Sequence, residues 1–199
     1  GITYELSGDD AQYFILDGNT IKLKSNVTTD FETKSRYTLV VTATNSAGET
    51  VTEKVVVKIE NVNEAPILSS AILNQSIDED SPLNFAIPNG TFFDVDGNTL
   101  SYTASLSDGE SLPGWMSFDG VSGTFSGTPR NDDVGVIGIK ITASDGSFNA
   151  NDSFNLTVNN TNDQPSEISL SANAFNENSD GVTIGDLTTN DDDNKYGDT

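Results

Sequence analysis

The sequence predicts an all-β chain of sandwich domains in tandem, with one domain split between the two chain ends. Three observations carry this expectation. Apolar residues alternate with polar ones at a period of two in several runs, and no segment of useful length has the helical period. The same succession of runs, turns and linkers also returns after about a hundred residues, the size of a two-sheet β-sandwich domain.

The elements follow in order. Tyr37, Leu39, Val41 and Ala43 alternate with polar neighbours, Asn45 opens a turn through Gly48, and Val55, Val57 and Ile59 form the return strand. The pattern recurs in Ile137, Ile139, Ile141 and Ala143, the turn Asp145-Gly146, and Phe154, Leu156 and Val158. Alternation of this kind buries one face of each strand. Both pairs close in related linkers, NVNEAP at 61–66 and NTNDQP at 160–165, where proline ends the strand and stiffens an extended connection. Module starts repeat as well. Ser76-Ile77-Asp78-Glu79-Asp80 corresponds to Phe175-Asn176-Glu177-Asn178, and Asp94-Val95-Asp96 to Asp191-Asp192-Asp193. The expected domains are therefore residues 1–64, the C-terminal part of one repeat; 65–163, a complete immunoglobulin-like Greek-key sandwich; and 164–199, the N-terminal part of the next repeat. Reading DDDNKYGDT (191–199) into GITYELSGDDAQYF (1–14) restores the uninterrupted middle of a module, so the chain is expected to begin and stop inside a domain.

The central stretch has a texture of its own. LPGWMSFD at 112–119 carries the single Trp, and TFSGTP follows at 124–129. Trp115, Phe118 and Phe125 are expected in the core, with an aromatic platform for sugar stacking as the alternative.

Composition narrows the function classes. Nine Lys and Arg against 31 Asp and Glu, a formal charge of −22, exclude nucleic acid, whose affinity rests on basic contacts to phosphate. Self-repulsion at that density disfavours a compact state unless cations neutralise it. With no cysteine there is no disulfide framework, and the absence of histidine removes the commonest general base and transition-metal ligand. No stretch approaches the roughly 18 apolar residues of a membrane span, and Gly1 opens on no signal-peptide pattern. The sequons at Asn26 and Asn155 are expected by chance in a chain this rich in Asn, Ser and Thr.

The acidic residues are clustered. Hard cations such as Ca²⁺ take six to eight oxygens from carboxylates, Asn side chains and backbone carbonyls. A DxD spacing in a tight loop lets two carboxylates converge on one ion, as in DVDG at 94–97 and DDD at 191–193. Alone this is a weak signal. Its recurrence with a strand-start Glu, an acidic turn and an N-x-N-[DE]-x-P linker is a strong one. Asp9, Asp10, Asp17, Asp108 and Glu110 fall outside the pattern and are expected to be plain surface charge. Paired acids also suit glycoside hydrolysis, but here they track domain ends and the chain is expected not to be an enzyme.

Taken together, FNEN, DDD, YELSG, Asp30-Phe31-Glu32, VTATN and NVNEAP resemble a bacterial cadherin repeat. The central domain is similar to the dystroglycan-type cadherin-like module through FFDVDG, LPGWMSFD, FSGTP, ASDG and NTNDQP. Such repeats occur in large RTX-type surface adhesins, with Ca²⁺ at the junctions between successive domains. The resemblance implies a first ligand set of Asp30, Glu32, Asn61, Asn63, Glu64, Asp94, Asp96 and Asp145. It implies a second of Glu79, Asp132 or Asp133, Asn160, Asn162, Asp163, Asp191 and Asp193. Glu177 is of the same site type as Glu79, and Asn45 stands where the family usually has Asp. Asn61 and Asn160 likewise replace the first Asp of the linker, and Ala65 stands where cadherins often have Asn. Fewer anions lower affinity, so dissociation constants on the order of 10⁻⁴ to 10⁻³ M are expected.

The resulting expectation is a Ca²⁺-rigidified extender segment of an extracellular, cell-surface adhesin; the alternative is a carbohydrate-binding module of a secreted polysaccharide-processing or adhesion protein. The expected partners are neighbouring repeats of the same array. A second copy of the chain is a further candidate, the C-terminal piece of one molecule completing the N-terminal piece of the next.

Overall fold

The computed structural model describes residues 1–178 and 180–190, and within them both long alternating pairs form antiparallel hairpins. The chain divides into two compact units, Gly1–Glu64 and the stretch from Ala65 onward. The architecture is all-β, in sheets of the immunoglobulin and cadherin type. Two single turns of 3-10 helix, Ala11–Tyr13 and Asn131–Asp133, are the helical pieces among the described residues, and none is long and apolar enough to cross a membrane.

In the first unit, strands β1 (Thr3–Ser7), β4 (Arg36–Thr44) and β5 (Thr50–Lys58) form one sheet in the order β1-β4-β5. A separate hairpin pairs β2 (Phe14–Asp17) with β3 (Thr20–Leu23). The alternation of β4 turns Tyr37 and Leu39 inward, where they are buried with Phe14. Tyr37 meets Tyr13 and Phe14 edge-on at 5.3 and 5.6 Å between ring centroids, the geometry that ring quadrupoles favour. On β5, Val55, Val57 and the following Ile59 pack against this cluster and remain half-buried.

Asp10, expected to be plain surface charge, has a structural role instead. Its side chain is 13% exposed, pairs with Lys34 and accepts the Thr38 backbone N–H at 2.7 Å. Lys34 also lies over the rings of Tyr13 and Tyr37, at 5.4 and 4.8 Å from their centroids. The hydrogen bond from Lys34, with that from Thr38, holds the Asp10 carboxyl below its usual range. Sequence spacing gave no hint of this pair because its members are linked only through the fold.

The central sandwich contains β6 (Ile67–Leu68), β7 (Gln75–Asp78), β8 (Leu83–Ala86), β9 (Phe92–Phe93), β10 (Ser101–Leu106), β11 (Met116–Asp119), β12 (Thr124–Gly127), β13 (Gly135–Ser144) and β14 (Asn149–Asn159). One sheet runs β10-β13-β14-β7, the facing sheet β11-β12-β8, and β6 pairs with β9. Most pairs are antiparallel, but β7 lies parallel to β14, with Leu156 opposite Gln75 and Asn159 opposite Asp78. Inward residues interdigitate between the sheets. Phe125 of β12 lies 4.5 Å from Phe118 and 6.0 Å from Phe154 of β14, and Ile139, Ile141, Leu156 and Val158 are almost wholly enclosed. Each such side chain stabilises the fold by about 1.5–3 kcal/mol relative to exposure.

Trp115 packs against this core with its indole N–H buried, as expected, and is not presented as an open platform. Its backbone also constrains the neighbouring hairpin: Gly127 has φ +147, and a Cβ there would lie 2.0 Å from the Trp115 carbonyl oxygen.

After the linker, β15 (Glu167–Leu170) pairs antiparallel with β16 (Leu187–Asn190). Between them, Asn178 has φ 61; one residue beyond the corresponding Glu of the central unit, Asp80 has φ 55. These two are the described non-glycine residues with positive φ, so an uncommon backbone state recurs at matching places.

Candidate metal centre

The hairpin geometry sorts the candidate acidic ligands of the central unit to two ends, while Asp152 lies within β14. Because β13 runs from Gly135 to Ser144 and returns as β14, the Asp145 turn lies at one end and residues 131–133 and 160–163 lie at the other. The pairing of Ser101 with Ser144 places the loop at 94–98 at the Asp145 end. The pairing of Asp78 with Asn159 places Glu79 at the linker end.

At the Asp145 end, the DVDG loop folds into a turn in which Gly97 N–H donates to the Asp94 carbonyl at 3.1 Å, and Asn98 N–H to Asp94 Oδ1 at 3.1 Å. Gly97 has φ +76, a state that glycine adopts freely. Asp94 is 4% exposed, and its Oδ2 is buried without a hydrogen-bond partner. Asp96 is half-buried beside it in sequence. Asp145 Oδ1 accepts the N–H groups of Ser147 and Phe148, each at 2.6 Å, which fixes the turn before β14.

At the linker end, Glu79 is 2% exposed. Its N–H donates to the Asn159 carbonyl at 3.0 Å, and its Oε1 accepts the Thr161 N–H at 2.8 Å. Asn131 Nδ2 donates to Asp163 Oδ2 at 2.9 Å, and Asp133 Oδ2 accepts the Arg130 N–H at 2.9 Å. Asp132 is exposed and Asn160 half-buried.

The first unit repeats this plan within itself. Asp30 and Glu32 precede β4 while residues 61–64 follow β5, so the register of Arg36 with Lys58 brings them to one end. Carboxylate oxygens of Glu32 and Glu64 come within 4.8 Å of each other, the counterpart of the Asn131–Asp163 contact. The linkers also fold alike: Asn63 Nδ2 donates to the Glu64 carbonyl at 3.2 Å, and Asn162 Nδ2 to the Asp163 carbonyl at 3.0 Å. Asp30 accepts both the backbone N–H and the hydroxyl of Thr33 at 2.9 Å, and those bonds hold its carboxyl below its usual range. Asn45 lies at the opposite end of the hairpin. Its Oδ1 accepts the N–H groups of Ala47 and Glu49, and its Nδ2 donates to Glu49 Oε2 at 2.7 Å.

Glu177 is exposed, one residue before the turn at Asn178, and Asp191 and Asp193 lie outside the described residues. Sequence reasoning missed Asn131 and the backbone N–H of Thr161. Asn131 adjoins the acidic pair Asp132-Asp133, a signal available in the sequence, although its bond is to the distant Asp163; the Thr161 N–H carries none.

The donor chemistry is uniform. Carboxylate, amide and backbone carbonyl oxygens suit a hard divalent cation, and thiolate or imidazole donors are lacking in the whole sequence. A nearly enclosed carboxylate such as Asp94 is costly unless paired or metal-bound, and its partnerless Oδ2 fits that use.

Comparison with known proteins agrees with the architecture. The family model He_PIG, described as "Putative Ig domain", matches residues 65–159. The first two extracellular cadherin domains of human mucin-like protocadherin are similar in fold, with TM-score 0.58 and 20% identity over 81% of this chain and 85% of that one. The extracellular cadherin domains 1–5 of protocadherin gamma B2 give TM-score 0.66 and 18% identity over 96% of this chain and 39% of that one. Domains 1–4 of the gamma B3 protocadherin give 0.70 and 18% over 96% and 50%. The chain thus spans half or less of these longer proteins. Both halves are cadherin-like β-sandwich structure.

Proposed function

We propose that this chain is an extender segment of a bacterial cell-surface adhesin, stiffened by Ca²⁺ held between consecutive domains of a tandem array. The observation that carries the reading is Asp94: a carboxylate 4% exposed, in the DVDG loop, with one oxygen buried and unpartnered. The sorting of the candidate acids to the two ends of the central unit supports it, as does the recurrence of the same linker fold after β5 and after β14.

In this reading Asp94, Asp96 and Asp145 present one end of the central domain to an ion. Glu79, Asp132 or Asp133, Asn160, Asn162 and Asp163 present the other. Asp30, Glu32, Asn61, Asn63 and Glu64 serve the corresponding end of the first unit, and Glu177, Asp191 and Asp193 belong to the start of the next. Ca²⁺, when bound, supplies the positive charge that such carboxylate groups need to stay close. The protein's own contribution is orientation: the Thr161–Glu79 and Asn131–Asp163 bonds tie the linker after β14 to the central domain before it. A linker held this way samples few angles, so an array of such domains behaves as a rod that projects a distal binding domain. The role is extracellular and non-catalytic.

The test combines calorimetric Ca²⁺ titration, thermal melting with and without chelator, and small-angle scattering. Ca²⁺ is expected to raise the melting midpoint and lengthen the maximum dimension. Identical curves with Ca²⁺ and with chelator would remove the proposal.

A further inference from the structure

The outer face of the central four-stranded sheet carries side chains that its folding does not call for. With Phe154, Leu156 and Val158 turned inward, the alternate positions of β14 face out: Asn149, Asn151, Ser153, Asn155, Thr157 and Asn159. Strands disfavour asparagine, and β14 lies between β13 and β7 rather than at an edge. The matching strand of the first unit is built differently. With Val55 and Val57 packed inward, β5 turns Thr50, Thr52, Lys54, Val56 and Lys58 outward and uses no asparagine. Solvation of an outer face is thus served by other side chains, and a local preference broken inside a strand marks a use beyond folding.

Charge sets the same face apart. Register places Ser105, Lys140 and Ser153 side by side, with Thr103, Thr142 and Asn151 in the next row. Thr142 Oγ1 donates to Asn151 Oδ1 at 2.7 Å, which ties that row together. In a chain with 31 Asp and Glu, the outward positions of β10, β13 and β14 hold no carboxylate. The acid of β14, Asp152, has the inward register, and its Oδ2 accepts the Ile72 N–H at 2.6 Å. Asp78 of β7 sits at the linker-end corner, where it accepts the Asn159 amide at 2.9 Å. Arg130 and Lys140 are the basic residues of the stretch 65–163, and among the described residues Lys140 has no ion pair. A single ammonium group therefore stands amid hydroxyls and amides.

We infer that this face binds an acidic polysaccharide, a chain of hydroxyl groups that also carries carboxylate or sulfate. Each Asn amide offers a donor and an acceptor together, as neighbouring sugar hydroxyls require, and the Lys140 ammonium offers three donors and a positive charge. An anionic ligand meets no carboxylate across β10, β13 and β14, because the candidate Ca²⁺ ligands lie at the ends of the domain. The outward positions of these strands carry no aromatic ring, so the hold comes from hydrogen bonds and charge rather than from stacking. The face is therefore distinct from a platform built on Trp115, which packs against the core. Adjacent strands of a sheet are rotated by roughly 20–25°, and a surface so twisted fits one flexible chain rather than a flat crystalline array. The inference stands apart from the Ca²⁺ reading, since it concerns the flank of the domain and not its ends.

The test is frontal affinity chromatography of the 199-residue chain on beads carrying carboxymethyl-dextran, plain dextran, or polyglutamate of matched charge density. Retention is expected to be strongest on carboxymethyl-dextran and to weaken as salt screens the charge. Lys140→Gln is expected to lower that affinity roughly fivefold, the upper end for one exposed ion pair. Asn155→Thr is expected to lower it roughly threefold, as for one lost hydrogen bond. The same variant is expected to melt as high as the parent or higher, since Thr suits a strand better than Asn. Both variants are expected to keep the parent's Ca²⁺-dependent melting shift, which separates a failure here from a failure of the calcium reading. Equal retention on dextran and carboxymethyl-dextran, equal retention on polyglutamate, parental affinity in both variants, or a lower melting midpoint for Asn155→Thr would overturn the inference.

Discussion

Thr161 donates its backbone N–H to the enclosed carboxylate of Glu79 at 2.8 Å, so a residue at the start of the central sandwich holds the chain where it leaves. Removing the acceptor strands a donor, at a cost of about 1–3 kcal/mol. Glu79→Ala is therefore expected to lower the stability of the central domain by that amount even with chelator present. Glu79→Gln keeps an acceptor oxygen and is expected to lose mainly the Ca²⁺-dependent part of the melting shift. Chemical denaturation with and without Ca²⁺ separates the two.

Asp94→Asn replaces a buried anion by a neutral group of the same shape. With chelator the variant is expected to be as stable as the parent or more so, because an uncompensated buried charge is gone. Its Ca²⁺ affinity is expected to fall roughly tenfold or more, the scale on which ligand charge tunes such sites. Titration calorimetry reads the second effect and melting the first.

The Asp10–Lys34 pair gives the first unit a defined pH response. The Asp10 carboxyl is held below its usual value of 3.8 by Lys34 and the Thr38 N–H, so its contribution is fully present above that value. It is lost as pH falls through the lower folded-state value. Asp10→Asn is expected to destabilise the first unit at neutral pH, and the difference from the parent is expected to vanish in acid. Melts followed by tyrosine fluorescence from neutral pH down to pH about 2 provide the check.

Gly120→Ala probes the hairpin of β11 and β12. A Cβ at residue 120 would lie 2.3 Å from the Tyr102 carbonyl oxygen, which belongs to β10 in the facing sheet. Overpacking of this kind costs about 1–3 kcal/mol. The central domain is expected to melt lower by roughly 4–8 °C for each kcal/mol lost, with Ca²⁺ affinity unchanged once folded.

The long hairpins were legible because each buries one face, and one-sided burial writes itself as alternation: Tyr37 and Leu39 in β4, Ile139 and Ile141 in β13. The sorting of candidate acids to strand ends was legible for a related reason, since turns and linkers are punctuated by Asn, Asp, Gly and Pro. Less was readable where the fold joins distant stretches. The parallel pairing of β7 with β14, the Lys34 contact with two tyrosine rings and the Thr161–Glu79 bond depend on three-dimensional return of the chain, and no local pattern encodes them. Backbone donors leave no compositional trace, so the partners of Asp94 and Asp145 were invisible even though both acids were singled out.

The parallel pairing of β7 with β14 has a mechanical consequence. The first of these strands follows the entry to the central sandwich and the second precedes its exit, so tension applied along an array pulls them past each other lengthwise. Their backbone hydrogen bonds are then loaded together in shear instead of peeling apart one at a time. Forced unfolding is governed by the rate of crossing that barrier rather than by equilibrium stability. A domain wired in this way can be thermodynamically modest and still hold under flow.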